Sequence, residues 1–143
     1  MRATAIGPAS VLHFDYHPLN LLVEGRRATG LNDWANVYVG DRRADLARTV
    51  AILRLAPHGS GESAVALRLA TRLLELGWRR GYRAVAGPLG GMAPFYAWAG
   101  TALVNDLAQK IGRPGIRLQS ADLDPARRWT AHWRRRAGLP ESW

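Results

Sequence analysis

Residues 13–20 read His-Phe-Asp-Tyr-His-Pro-Leu-Asn, so His13, Asp15, His17 and Asn20 crowd hydrogen-bonding and cation-ligating groups into eight positions. Pro18 has no backbone N–H to give to a helix or ladder, and its polar neighbours mark residues 15–20 as a loop. Strands are expected on both sides of it. Residues 10–14 read as one, Leu21-Leu22-Val23-Glu24 as a second, Gly25-Arg26-Arg27 as a turn and residues 28–33 as a returning third strand. A hairpin of that length brings Asp33 back beside Asn20. The chain therefore has to fix a polar loop against a hairpin, and it needs a body to hold them.

The pattern after residue 40 supplies that body. Residues 34–40 read as a further loop. From Asp41 the apolar period becomes helical: Leu46, Val50 and Leu53, with Ala47 and Ala51, form one stripe of a helix over 42–56 that Asp41 can cap. Residues 57–61 break it. A second helix is expected over 62–80, with Glu62 in its first turn and Val65, Leu69, Leu73 and Leu76 facing inward. Residues 84–91 are rich in glycine and proline and read as a loop. A third, buried helix spans 93–111, carrying Phe95, Tyr96, Trp98, Leu103, Val104 and Leu107, and Pro114 and Gly115 end it. A fourth covers 124–137. The fold class expected is α+β, mostly helical, in a single domain over 1–143.

Composition sets the bounds on this reading. A chain of 143 residues with 48% hydrophobic and 22% charged residues is globular rather than disordered. It has no run long and apolar enough to span a membrane and no signal-peptide core at its start. The absence of cysteine excludes disulfides, thiolate metal sites and a cysteine nucleophile. The net charge of +9 is spread over the chain, and Lys110 is the only lysine among twenty basic residues. An even, arginine-dominated excess points to compositional bias rather than to a nucleic-acid partner, which is not expected.

Phosphoryl transfer from a nucleotide accounts for the spacing in the loop. That chemistry needs a carboxylate to orient the acceptor hydroxyl and take its proton, and oxygen ligands for Mg²⁺. Asp15 and Asn20 are five residues apart, Asp33 follows at the hairpin's end, and Gly40-Asp41-Arg42-Arg43-Ala44-Asp45-Leu46-Ala47 comes next. Together these residues resemble the aminoglycoside phosphotransferase family, which shares the protein-kinase-like fold with choline and homoserine kinases. The match is at His13, Asp15, His17, Pro18, Asn20, Asp33, Trp34, Gly40, Asp41, Asp45, Leu46 and Ala47. The resemblance covers about residues 10–50.

The resemblance implies a kinase-like C-terminal lobe with a small β-hairpin carrying the catalytic loop. It implies ATP and Mg²⁺ as cofactors, Asp15 as catalytic base, and Asn20 and Asp33 as the metal and cofactor ligands. His13 and His17 would brace the loop, and Asp41 and Asp45 would anchor it from the helix below. The partners implied are a nucleotide and a small-molecule hydroxyl acceptor placed between the loop and the helices of 62–111. Phe14 stands where many members have glycine.

The larger departure is at the front. The loop starts at residue 13, and no glycine-rich phosphate cover or nucleotide lysine precedes it. Gly87, Gly90 and Gly91 do not fit a phosphate-loop pattern, and Lys110 lies far downstream in an expected helix. The expectation is a lobe without its N-terminal nucleotide-binding partner, inactive alone, cytoplasmic, and able to self-associate through an exposed apolar face.

Two other readings use the same residues. His13, Asp15 and His17 alternate, so on a strand they could converge on zinc and activate water for hydrolysis. Near the end, Arg127, Arg128, Arg134, Arg135 and Arg136 cluster with Trp129 and Trp133, which suits a basic binding module if the aromatics are exposed. Packing of the tryptophans on the body is the expectation here, with His58 and His132 at the surface.

Overall fold

The computed structural model describes residues 9–57 and 62–140. His58 and most of the expected break at 57–61 lie outside the described residues. The fold is α+β and mostly helical, with two small two-stranded sheets.

The β elements are nested. Strand β1 (Ala9–Leu12) pairs antiparallel with β4 (Tyr38–Asp41), and between them β2 (Leu21–Glu24) pairs with β3 (Arg27–Leu31) as the expected hairpin. The innermost rung of the outer pair is Leu12 opposite Tyr38. That rung is the neck of a loop holding His13, Asp15, His17, Asn20 and Asp33. Strand β4 corrects the expectation of a loop over 34–40. Strand β1 also ends before His13, and β3 ends before Asn32 and Asp33, so all three residues sit off the strands where their side chains are not held to a pleat.

Helix α1 (Arg42–Leu55) starts where Asp41 accepts a hydrogen bond from the Arg43 N–H at 2.9 Å. Its expected stripe is buried: Leu46, Ala47, Val50, Ala51 and Leu53 are each at most 6% exposed. Helix α3 (Ala93–Ala108) lies at the centre, between α1 and α4 (Asp124–Ala137). Ala47, Val50 and Ala51 meet Tyr96, Ala99, Leu103 and Leu107, which meet Leu123 and Ala126. Gly100 permits the close α3–α4 crossing. A Cβ there would fall 2.8 Å from Trp129 Cδ1 and closer still to the Thr130 hydroxyl. The tryptophans of α4 pack as expected: Trp129 donates to the Tyr96 carbonyl at 3.0 Å, and both indoles lie against the Tyr96 ring.

Helix α2 (Glu62–Ala86) brings two corrections. It runs through Gly77 and Gly81, past the expected end at residue 80. Its rotation is also opposite to the expected one, since Val65, Leu69, Leu73 and Leu76 are 56–70% exposed. The face turned inward carries Ala64, Glu75 and Trp78 instead. The Glu75 carboxylate is fully buried and takes two hydrogen bonds from Arg54 of α1, at 2.5 and 2.9 Å, and one from Arg79 at 3.1 Å. Trp78 stacks on Tyr16 of the polar loop and on Tyr82, whose phenol burial pushes above its ordinary pKa. A buried charge needs its partner, and that requirement sets the rotation of α2 over its apolar stripe. Helix α3 ends at Ala108, short of the expected 111, so Lys110 sits in a turn rather than a helix, and Trp98 is exposed rather than buried.

Among the described residues, no helix is long and apolar enough to cross a membrane.

Candidate phosphotransfer site

The polar loop is held from several sides, starting with His13, which is 3% exposed. Its Nδ1 accepts from the Asp15 N–H at 3.3 Å, which puts the ring proton on Nε2, and Nε2 donates to the Asn32 carbonyl at 2.8 Å. The ring also meets Trp34 edge-on at 4.7 Å, and Trp34 Nε1 donates to the Leu31 carbonyl at 2.7 Å. His13 thus ties the start of the loop to the end of the hairpin. Both of its nitrogens are committed, so it has no lone pair left for zinc. Among the described residues no group of three or more His, Asp or Glu side chains is placed to hold a metal ion, and the zinc triad gains no support.

Phe14 explains how the loop turns. Its φ is +61°, the left-handed region that a side chain disfavours by about 1–2 kcal/mol. Both of its peptide groups are gripped from α1: the N–H donates to Asp45 Oδ1 at 2.7 Å, and the carbonyl accepts from Arg48 Nε at 3.3 Å. Arg48 in turn pairs with Asp106 of α3, and its NH1 is buried without a partner among the described residues. The backbone here takes the shape for which glycine is suited, and the Phe14 ring lies 5.2 Å from that of Trp98. This makes Phe14→Gly more stable than Phe14→Ala by about 1 kcal/mol, because alanine keeps the strain and loses the ring while glycine loses both. Urea denaturation of the two variants checks the order, and alanine equal to or above glycine would refute it.

The turn presents Asp15 to Asn20. The Asn20 amide nitrogen donates to the Asp15 carbonyl at 2.8 Å and lies 3.2 Å from Asp15 Oδ2. His17 Nε2 is 3.3 Å from the same nitrogen and 3.7 Å from Asp15 Oδ1. With its nitrogen engaged, Asn20 has Oδ1 left as a ligand atom. A 3-10 turn over Pro18–Asn20 sets this geometry, closed by Asn20 N–H to the His17 carbonyl at 3.0 Å.

The hairpin brings Asp33 back by one more rung. The Asn32 N–H donates to the Asn20 carbonyl at 2.8 Å, extending the β2–β3 ladder beyond Leu21 opposite Leu31. Asp33 is the next residue, with φ +59°, a conformation that Asp tolerates better than most residues. Its exposed carboxylate makes no hydrogen bond or ion pair among the described residues. An amide oxygen and an unpaired carboxylate are hard donors of the kind Mg²⁺ takes, and the ion keeps its other positions for water and phosphate. The donor set therefore fits Mg²⁺.

Asp41 and Asp45 divide the expected anchoring role. Asp45 reaches the loop. Asp41 instead caps α1 and pairs with Arg43, whose pKa it raises through that hydrogen bond, and Arg43 lies 4.6 Å over the Phe95 ring. Sequence spacing gave no signal for Arg48, Asp106 or Arg113.

A cleft of about 380 Å³ opens beside Asp15 and His17, walled by α1 and α3. A larger, apolar one of about 580 Å³ lies on the other side of the loop, between Tyr16, Pro18 and Leu53 and the Leu73, Leu74 and Trp78 side chains of α2. No curated protein and no solved structure matches the chain. A model of the phosphotransferase enzyme family matches residues 2–87, more than half of the sequence, and that span takes in the loop, the hairpin and the helix that braces them. The chain belongs to the phosphotransferase enzyme family.

Proposed function

We propose that the chain supplies the base and metal half of a site that moves the γ-phosphoryl group of ATP to the hydroxyl of a small molecule. The observation that carries this reading is the Asp15–Asn20 hydrogen-bonded pair with Asp33 one residue beyond the adjoining rung. Asp15 is the base: its carboxylate borders the cleft, where it can orient an acceptor hydroxyl and take its proton. Asn20 holds Asp15 through its nitrogen and offers oxygen to Mg²⁺, while Asp33 offers the second protein ligand. Held by Asn20 and Asp33, Mg²⁺ would supply positive charge to offset what develops on the transferring phosphoryl group. His13 and Asp45 keep the loop in the shape that presents Asp15. We place these elements in a kinase-like C-terminal lobe.

Calorimetry of the chain with ATP, with and without Mg²⁺, tests the reading. Binding is expected only with the metal and is lost in Asp33→Ala. Asp15→Asn keeps the ligand pair, so it retains that binding while lowering transfer by roughly 10²–10⁴-fold wherever transfer is assayed. ATP binding that ignores both Mg²⁺ and Asp33 would overturn the assignment.

A further inference from the structure

We infer that the cleft beside Asp15 takes a hydroxyl compound that carries an anionic group, held by Lys110 and Arg113; this rests on the phosphotransferase reading above. The cleft places Asp15 in one wall and Arg48, Asp106, Lys110 and Arg113 in the others. Arg48 and Asp106 form an ion pair and offset one another. The Asp15 carboxylate keeps its charge for the acceptor hydroxyl, and the two cations Lys110 and Arg113 outnumber it in the lining. What remains is the cation pair on the turn that follows α3.

That turn is an ordered feature. Lys110 N–H donates to the Leu107 carbonyl at 3.0 Å, and Arg113 N–H donates to the Lys110 carbonyl at 3.2 Å. Arg113 Nε donates to the Gln109 carbonyl at 2.7 Å, which orients the guanidinium and leaves its two terminal NH₂ groups to a ligand. The Lys110 ammonium makes no hydrogen bond or ion pair among the described residues.

Position decides which substrate meets these cations. They share the cleft with Asp15, whereas Asn20 and Asp33 do not line it. The cations therefore face the acceptor rather than the metal-bound phosphates. A polycationic acceptor would meet like charge, and a neutral one would leave both cations to water. A carboxylate or phosphate satisfies them, with the hydroxyl of the same molecule at Asp15. The volume, about 380 Å³, suits a small molecule.

The full chain is titrated by NMR, without nucleotide, with D-glycerate, glycerol 3-phosphate, uncharged glycerol and cationic ethanolamine. At least one anion is expected to shift cleft resonances, to weaken with added salt and to bind at least about tenfold more weakly to Lys110→Ala/Arg113→Ala. The stronger anion tells carboxylate from phosphate. Glycerol and ethanolamine are expected to bind far more weakly. Both residues are exposed, so the double variant should unfold like the parent.

Three results overturn the inference: ethanolamine binding as well as the anions, anion binding that ignores the double substitution, or no probe binding at millimolar concentration. ATP with Mg²⁺ is titrated into the same variant. A matching loss there assigns the cations to the nucleotide and ends the inference, while the phosphotransferase reading stands. Anion binding through Lys110 and Arg113 beside ATP binding that ignores Asp33 ends the phosphotransferase reading instead.

Discussion

Glu75→Ala lowers the stability of the chain by about 3 kcal/mol, a large share of the roughly 5–15 kcal/mol that a domain commands. The Glu75 carboxylate is fully buried and accepts from Arg54 and Arg79, with Arg72 at 3.8 Å. Removing it leaves guanidinium groups facing one another across the α1–α2 contact. The figure belongs at the low end for a broken buried pair, because Arg54 and Arg79 each keep 26% of their side-chain surface exposed and can turn toward water. Glu75→Gln keeps the shape and some hydrogen bonding, so its loss is smaller. Urea unfolding followed by far-UV circular dichroism measures both. A loss below about 1 kcal/mol for Glu75→Ala would class it with ordinary surface changes and remove the ion pair as the cause of the α2 rotation.

That rotation also shows where the sequence stops being informative. Val65, Leu69, Leu73 and Leu76 form a correct helical stripe, and the helix is there. Which face turns inward is decided by Arg54 on another helix and by Tyr16 in the loop, and neither is visible in the period of α2 itself. Helix α1 was legible because its cap, Asp41, and its stripe are local and agree. Strand β4 was not, because four residues pair with a strand near the start of the chain, and a non-local ladder leaves little local trace. The loop over 15–20 and the return of the hairpin toward Asn20 could be placed because Pro18 and the hairpin turn constrain the backbone directly, while the strand ends at Leu12 and Leu31, short of His13 and Asp33, could not. The cleft could not, since Arg48, Asp106, Lys110 and Arg113 come together only through the packing of α1 on α3. Phe14 is the instructive case. Against a family pattern with glycine it reads as a minor departure, yet its φ of +61° makes it a strained position at the turn that aims Asp15.

Asp45→Ala is expected to cost about 2 kcal/mol, the value of a hydrogen bond from a backbone N–H to a charged acceptor. The bond at stake is the 2.7 Å contact from the Phe14 N–H, and Asp45 lies outside the residues proposed to touch substrate or metal. Its effect on the site is indirect. With Asp45 gone, only Arg48 grips the strained residue, at its carbonyl. The chain gains by relaxing Phe14 out of the left-handed region, and that movement carries Asp15 away from Asn20. Asp45→Asn keeps an oxygen acceptor at the same place and retains more of both stability and site geometry. A double-mutant cycle isolates the strain. Once Phe14 is replaced by Gly, no strain is left to recover, so Asp45→Ala then destabilises more than it does beside Phe14, where relaxation offsets part of the lost bond, with a coupling of about 0.5–1 kcal/mol. Denaturant midpoints for the four proteins give that coupling. Strictly additive losses would mean that the Asp45 bond stabilises the loop without enforcing its turn, and the shape that presents Asp15 would then have to come from His13 and Arg48.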